Sequence, residues 1–227
     1  MKLSVILPVY NEKNTIQEVI QKVMSVDVEK ELIIVDDCSN DGTKELLKKF
    51  EGQEQIRILY HQENQGKGSA IRTALKHVTG DVVIIQDADL ELDPQDYPEL
   101  LKPILEGKTE VVYGSRYLKE TNTLPPFRFR IAVHVLNFMV RILFGVKITD
   151  EATCYKLIKT ELLKSIPLKC KRFEFCPEVT AKILKRKQKI VEVPISYNYR
   201  TVKQGKKIGF MDGLEAMWTL LKYRFKD

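Results

Sequence analysis

The chain has 227 residues, of which 44% are hydrophobic, so length and composition favour one globular domain with a sizeable core. Its 37 lysines and arginines outnumber 31 aspartates and glutamates, and the resulting formal charge of +6 favours an anionic partner such as a nucleotide, a lipid phosphate or a nucleic acid. The four cysteines include no CxxC pair and only three histidines occur, which disfavours a zinc site and favours a reducing, cytosolic location.

We expect neither a signal peptide nor a transmembrane helix. Met1 and Lys2 run directly into an apolar segment without a small-residue cleavage site. The longest candidate span, 131–146, contains His134, Asn137 and Arg141, and no apolar run reaches the roughly 18–20 residues that a bilayer requires.

Strands and helices alternate through the first half of the sequence. Apolar runs predict buried strands, and apolar residues at helical spacing predict the helices between them. The predicted strands are 3–9, 32–35, 56–60 and 81–86, and the predicted helices are 15–24, 43–50 and 69–78. This alternation predicts the α/β class, with a mostly parallel sheet covered by helices on both faces.

The second half of the sequence is less regular. It predicts strands at 111–114, 154–158 and 190–199, a proline-containing loop at 119–130, and helices at 178–187 and 210–225. We therefore expect a main domain over 1–208 and an amphipathic C-terminal helix over 209–227.

Three carboxylates, Asp87, Asp89 and Glu91, follow the predicted strand 81–86 at a spacing of two residues. If the chain stays extended there, alternate side chains point to one side and the three carboxylates converge. A hard divalent cation would relieve their repulsion, and such ions commonly also bind substrate phosphates. The pattern indicates an enzyme that acts on a nucleoside diphosphate group, with a solvated acidic loop as the alternative interpretation.

Polar residues also follow the first three predicted strands. They are Pro8, Tyr10, Asn11 and Glu12, then Asp36, Asp37, Ser39, Asn40, Asp41 and Gly42, and finally Asn64, Gln65, Gly66, Lys67 and Gly68. Because the carboxyl ends of parallel strands share one edge, where ligands of such sheets bind, we expect a nucleotide site along this edge.

Six short segments match, in order, the motifs of a known enzyme family. They are VILPVYNE at 5–12, VDDCSNDGT at 35–43, NQGKG at 64–68, DAD at 87–89, GSR at 114–116 and VPI at 193–195. On these segments the chain resembles the GT-A glycosyltransferases of family 2, and among them the dolichol- and polyprenol-phosphate sugar synthases. The resemblance implies a GT-A fold with a Rossmann-like, mostly parallel sheet.

The resemblance also implies a reaction, in which a hexose passes with inversion from GDP-mannose or UDP-glucose to a dolichyl or polyprenyl phosphate. By that resemblance the donor would be bound by Pro8, Tyr10, Glu12, Val35, Asp37, Lys67, Asp87, Ala88, Asp89, Arg200 and Lys206. The glycines at 66 and 68 would let the backbone approach the nucleoside. Capping the next turn is the structural alternative for Asp37.

By the same resemblance Mg²⁺ or Mn²⁺ would be held on the donor diphosphate by Asp87, Asp89 and Glu91. Relatives that use mannose usually carry glutamine where Glu91 stands, so the donor sugar stays open. Cys38 is a second departure, at a position often occupied by glycine, and we assign it no chemistry.

The acceptor phosphate would be bound by Arg116, Arg128 and Arg130, with Asp89 and Arg116 as the catalytic residues that the resemblance implies. A phosphate monoester is already an anionic nucleophile, so it needs arginines to position it rather than a general base. If the acceptor were instead a sugar hydroxyl, Asp150 would be the candidate base. A non-catalytic nucleotide-binding module is the alternative of another class, and nucleic acid is not an expected partner because aromatic platforms are lacking among the basic residues.

Two apolar helical stripes would allow peripheral contact with a membrane, at its cytoplasmic face. One comprises Ile131, Val135, Phe138 and Ile142, and the other lies on the C-terminal helix with basic residues near its end. Packing of both stripes against the domain core is the alternative.

Overall fold

The structure, a computed structural model, describes residues 1–200, 207 and 209–226, without the side chain of Arg128. Within these residues the chain forms one sheet of seven strands: β1 Leu3–Val9, β2 Lys30–Asp36, β3 Ile56–Tyr60, β4 Val82–Ile85, β5 Val111–Ser115, β6 Lys156–Lys159 and β7 Ile190–Pro194. The helices are α1 Ile16–Ser25, α2 Thr43–Leu47, α3 Lys67–Leu75, α4 Tyr97–Leu105, α5 Phe127–Phe144, α6 Thr160–Ser165, α7 Phe175–Lys185 and α8 Phe210–Phe225.

The sheet has the order β3-β2-β1-β4-β6-β5-β7, and β6 alone among these strands runs antiparallel to its neighbours. Register between β1 and β2 places Val9 opposite Asp36, so the carboxyl ends of these strands meet at one edge. The predicted α/β class, mostly parallel sheet and amphipathic C-terminal helix are confirmed.

Both faces of the sheet are buried, because side chains alternate along its central strands. On β1, Leu3, Val5 and Leu7 join one core cluster beneath α1 and α4, whereas Ile6 joins a second cluster beneath α3 and α7. A third cluster holds α5, α7 and α8 together through Leu136, Val140, Leu184, Leu220 and Tyr223. None of the helices described has the length and apolarity needed to span a membrane.

The structure corrects several predicted boundaries. The last four residues of the predicted loop 119–130 belong to α5, which begins directly after Pro126, where the fixed φ of proline suits a helix start. The predicted strand 190–199 ends at Pro194, and the amide of Ile195 makes the last hydrogen bond to the neighbouring strand, to the carbonyl of Ser115 at 3.1 Å. The predicted strand 154–158 begins only at Lys156, and the helix predicted at 178–187 begins at Phe175.

The glycines before and within α3 pack closely against another segment of the chain. A Cβ on Gly66 would lie 2.4 Å from the carbonyl oxygen of Lys171, and a Cβ on Gly68 would lie 2.9 Å from the carbonyl carbon of Cys170. The amide of Gly68 donates to the carbonyl of Arg172 at 3.0 Å. The chain's own segment 170–172 therefore requires glycine at both positions, and the backbone contact with a nucleoside stays a prediction.

We predict that Gly66→Ala lowers the free energy of unfolding by about 2–4 kcal/mol, through a positive φ of 93° and the clash with Lys171. Gly52→Ala is the matched control, because Gly52 has a φ of 82° but nothing within 4 Å of an added Cβ. Urea denaturation of both variants measures the difference. Equal losses of stability would contradict the close packing against segment 170–172.

Candidate active site

The polar loops after β1 and β2 are tied to each other across the carboxyl edge of the sheet. The amide of Asn11 donates to the Ser39 hydroxyl at 2.9 Å, and the amide of Glu12 donates to the Thr43 hydroxyl at 3.0 Å. Further along the edge, the Thr15 hydroxyl donates to the carbonyl of Ala88 at 2.6 Å. These contacts join the polar ends of β1, β2 and β4 as one surface.

Pro8 and Val35 lie opposite each other in the β1–β2 ladder, immediately before these loops. The Val35 side chain is fully buried in the core cluster beneath α3. Only the backbone of Val35 is therefore in a position to contact a ligand at the edge.

Asp37 is buried, and its carboxylate orders the loop after β3. It accepts hydrogen bonds from the amides of Gln65 at 2.9 Å and Gly66 at 2.7 Å. His61, which the sequence analysis did not single out, lies between Asp37 (2.7 Å) and the hydroxyl of Thr73 (2.9 Å). These contacts give Asp37 a structural role in the loop after β3, which differs from the capping of the next turn that was the alternative, and its contact with a nucleobase stays a prediction.

Lys67 binds Asp87 and does not point freely into a nucleotide pocket. Its ammonium donates to the Asp87 carboxylate and, at 3.0 Å, to the sulfur of Cys154. Burial opposes the charged form of Lys67, but Asp87 and the thiols of Cys154 and Cys176 hold its pKa well above the usual range. Burial likewise opposes ionisation of Asp87, whose pKa Lys67 nevertheless lowers below its ordinary value. Asp87 is thus an ionised carboxylate with an internal counter-ion.

Asp89 lies between two other carboxylates. Burial, followed by the charges of Asp87 and Glu91, raises the pKa of Asp89 to about 7. The amide of Glu91 donates to Asp89 at 3.1 Å, and Leu90 adopts a left-handed φ of 61°. The segment after β4 is therefore a turn, and the extended geometry expected from the sequence is wrong, although the three carboxylates still lie close enough to repel one another.

Glu91 has partners of its own on the strand-end loop after β7. Its carboxylate accepts from the amide of Arg200 at 2.9 Å and from the Tyr197 hydroxyl at 3.4 Å. Among the residues described, no three His, Cys, Asp or Glu side chains are grouped so as to hold a metal ion on their own. The mutual repulsion around Asp89 fits a cation shared with substrate phosphates, which needs only one or two protein carboxylates. The ligand roles of Asp87, Asp89 and Glu91 stay predictions.

Glu12 holds two cations at the end of β1. Its buried carboxylate accepts from the Arg200 guanidinium at 2.9 Å and from the Lys207 ammonium at 2.7 Å. Lys207 also donates to the carbonyl of Tyr10 and lies 5.6 Å from the centre of its ring. The predicted donor residue Lys206 lies outside the described residues, and its neighbour Lys207 is the lysine found at this edge.

Arg116 and Asp150 form a bidentate ion pair. Nε and Nη2 of Arg116 each donate to the Asp150 carboxylate at 2.7 Å, and the Arg116 amide donates to it at 3.1 Å. The Asp150 side chain is fully buried. Burial opposes the charge of Arg116, but Asp150 raises the pKa of Arg116 well above its normal value.

The backbone around Asp150 is fixed from two sides. Glu192 of β7 accepts from the amides of Thr149 at 2.8 Å and Asp150 at 3.1 Å. Asn137 of α5 donates to the carbonyl of Thr149 at 2.6 Å and accepts from the amide of Glu151 at 2.9 Å. Neither residue was predicted, because only the folded sheet and helix bring them to position 150.

Of the other two candidate arginines, Arg130 lies in the first turns of α5 with its Nε buried and without a hydrogen-bond partner among the described residues. The Arg128 side chain lies outside the described part. The structure therefore describes the side chains of Arg116 and Arg130, and the binding of the acceptor phosphate by the three arginines stays a prediction.

Comparisons with known proteins give the chain its family. Residues 4–166 match the family Glycosyl transferase family 2. The dolichol-phosphate mannosyltransferase of Pyrococcus furiosus is 27% identical over 98% of this chain and 64% of its own length. The UDP-N-acetylglucosamine–dolichyl-phosphate N-acetylglucosaminyltransferase of Methanococcus voltae is 29% identical over 95% of this chain and 93% of its own length. The chain thus covers less than two thirds of the length of the Pyrococcus furiosus relative.

Solved structures show the same fold. Glucosyl-3-phosphoglycerate synthase of Mycobacterium tuberculosis, crystallised with Mn²⁺, UDP and phosphoglyceric acid, superposes with a TM-score of 0.74 at 22% identity, over 100% of this chain and 79% of the other. Mannosyl-3-phosphoglycerate synthase of Rubrobacter xylanophilus superposes with a TM-score of 0.73 at 19% identity, over 98% of this chain and 72% of the other. The GT-A fold and the resemblance on which the sequence analysis relied are confirmed: the chain belongs to glycosyl transferase family 2.

Proposed function

We propose that this chain transfers a hexose from a nucleotide-diphosphate sugar to a dolichyl or polyprenyl phosphate, with inversion and with a divalent metal ion. The observation that carries the proposal is the ion pair of Arg116 with Asp150. Asp150 is the carboxylate that would have to act as the base for a hydroxyl acceptor. It is fully buried and accepts hydrogen bonds from three N–H groups of Arg116. It serves to orient a guanidinium, and a phosphate acceptor needs that guanidinium and no base.

The reaction is a single displacement. An oxygen of the acceptor phosphate forms the new bond to the anomeric carbon, the bond from that carbon to the donor diphosphate breaks, and the nucleoside diphosphate leaves with the electron pair. The acceptor oxygen is already ionised near neutral pH, so no proton has to be removed. Arg116 positions this oxygen, while Asp150 and the residues that fix its backbone hold Arg116 in place.

On the donor side, Asp87 and Asp89 would hold Mg²⁺ or Mn²⁺ on the diphosphate, and the ion when bound would neutralise charge on the leaving group. The mycobacterial neighbour was crystallised with both Mn²⁺ and UDP, which supports a divalent ion as the cofactor. Arg200 and Lys207, both held by Glu12, supply further positive charge at the end of β1. The family resemblance adds Lys206 to these cations of the donor site.

The named relatives support the acceptor more strongly than the donor. Their names give a mannosyltransferase and an N-acetylglucosaminyltransferase that act on dolichyl phosphate, and a dodecaprenyl-phosphate galacturonate synthase. The three relatives thus differ in the sugar that their names give and agree in the acceptor, which is a dolichyl or polyprenyl phosphate. We leave the sugar open among GDP-mannose, UDP-glucose and UDP-N-acetylglucosamine.

The direct test is transfer of label from each of these three nucleotide sugars to polyprenyl phosphate, scored as organic-extractable product. We predict product with one donor in the presence of Mg²⁺ or Mn²⁺, and at least a 100-fold loss when EDTA removes the ion, because the diphosphate would then leave with its charge uncompensated. Restoration by added metal is the control. Full activity in EDTA would contradict the metal site, and product only on a free sugar hydroxyl would contradict the acceptor.

Asp150→Asn separates an orienting carboxylate from a base. We predict a loss of about 3–5 kcal/mol in unfolding free energy, because Arg116 keeps a buried charge without its partner. We also predict a raised KM for the lipid phosphate, with kcat at saturating acceptor kept within about ten-fold, since no proton transfer is lost. Glu151→Gln is the control at a neighbouring buried carboxylate that interacts with Arg116 through its charge but makes no hydrogen bond with it among the described residues, and its acceptor KM should change much less than that of Asp150→Asn. Loss of kcat with full stability in the Asp150 variant would identify a base.

We further propose that the outer faces of α5 and α8 contact a membrane surface. The inner faces of both helices pack in the third core cluster, whereas Phe138 and Trp218 on the outer faces are 61% and 65% exposed. The predicted stripe on α5 is exposed along its length at Ile131, Val135, Phe138 and Ile142. Lys222, Arg224 and Lys226 at the end of α8 supply the positive charge that anionic headgroups attract.

Trp218 is the only tryptophan of the chain, so its fluorescence reports on α8 alone. We predict a blue shift on addition of phosphatidylglycerol vesicles, and no shift with phosphatidylcholine at the same salt, because both apolar burial and anionic charge are required. Phe138→Asp should weaken vesicle binding several-fold while leaving nucleotide binding unchanged. An unshifted Trp218 fluorescence spectrum, together with no co-sedimentation of the protein with phosphatidylglycerol vesicles, would contradict the membrane contact.

A further inference from the structure

Two polar donors, one on the residue after Arg116 and one in α5, are buried without hydrogen-bond partners among the described residues. They are the hydroxyl of Tyr117 and Nε of Arg130. Leaving a buried donor unsatisfied costs on the order of 1–3 kcal/mol, so a phenylalanine would be the more stable choice if residue 117 only filled space. Their presence indicates a ligand with oxygen acceptors.

Tyr117 follows Arg116 directly in the chain. Burial and the negative charge of Asp150 raise the pKa of the Tyr117 phenol, although the positive charges of Arg116 and Arg130 act in the opposite direction. The phenol therefore remains a protonated donor. Its ring lies 5.7 Å from that of His134 on α5, which fixes its orientation.

A cavity adjoins this position and provides the space for a ligand. It has a volume of about 340 Å³ and lies between α5 and residues 147–149, with Tyr117, Phe138 and Ile148 in its wall. Arg141 and Lys147 also line it. A ligand whose anionic group reached Tyr117 would thus be able to place an attached carbon chain against α5.

We propose that the Tyr117 hydroxyl donates a hydrogen bond to the phosphate monoester of the acceptor, next to Arg116. Tyr117 is then a substrate-contacting residue of the acceptor site. This inference deepens the proposed function and rests on it for the lipid, whereas the shared chemistry that the site recognises is a phosphate monoester. Such a group offers three oxygens, enough for the Tyr117 hydroxyl and a contact from Arg116.

The test is the binding of farnesyl phosphate, farnesol and 3-phosphoglycerate to the full chain and to Tyr117→Phe, measured by calorimetry. We expect Tyr117→Phe to weaken farnesyl phosphate binding about ten-fold or more, as for one hydrogen bond to a charged group, with nucleotide affinity unchanged. Tyr60→Phe is the matched control, because the Tyr60 hydroxyl donates to Glu51 at 2.7 Å on the surface. It should leave farnesyl phosphate affinity as in the original chain. Farnesol should bind much more weakly than its phosphate.

The outcomes separate this inference from the proposed function. Equal affinity of Tyr117→Phe and Tyr60→Phe for farnesyl phosphate would overturn the role of Tyr117, and so would an equal loss of nucleotide affinity in Tyr117→Phe. Binding of 3-phosphoglycerate but not farnesyl phosphate, with the same dependence on Tyr117, would support the phosphate site and overturn the lipid acceptor. Absence of binding to either phosphate would overturn both.

Discussion

The buried ion pair of Arg116 and Asp150 is the interaction on which the acceptor half of the site depends. A guanidinium with little exposure is stable only where a carboxylate and further hydrogen bonds compensate its charge. β5 supplies the backbone that leads into Arg116, β7 supplies Glu192, and α5 supplies Asn137. Because three elements of the fold meet at this pair, its geometry is set before any substrate arrives, which reduces the reorganisation required during transfer.

In the proposed donor half of the site, charged side chains are likewise paired with opposite charges of the same chain. Lys67 neutralises Asp87, and Glu12 holds Arg200 and Lys207. Asp89 is the carboxylate of this edge whose pKa rises to about 7, since burial and two acidic neighbours disfavour its charge. A cation carried in with the diphosphate would relieve that repulsion, so donor and metal are expected to stabilise each other's binding.

The sequence predicted the sheet, the family and the edge at which polar strand ends meet, because apolar runs, alternation and short motifs are local features. It did not predict contacts between residues distant in the chain. Asp37 contacts the loop at 65–66, Asp150 lies under Arg116, and segment 170–172 fills the space beside Gly66, and each of these contacts exists only after the strands pair. The assumption of extended chain at 87–91 failed because Leu90 takes a left-handed conformation that the alternation of carboxylates does not reveal. Tyr117 was missed because an unsatisfied buried hydroxyl is visible only in three dimensions.

The central claim is that the acceptor nucleophile is a phosphate oxygen, oriented by Arg116 and not activated by a base. The most direct measurement is the ³¹P NMR spectrum of the purified product formed on a polyprenyl phosphate. We predict that the phosphomonoester resonance of the acceptor is replaced by that of a phosphodiester, because the sugar is attached through the phosphate. A product that carries sugar while its phosphate remains a monoester would contradict the account.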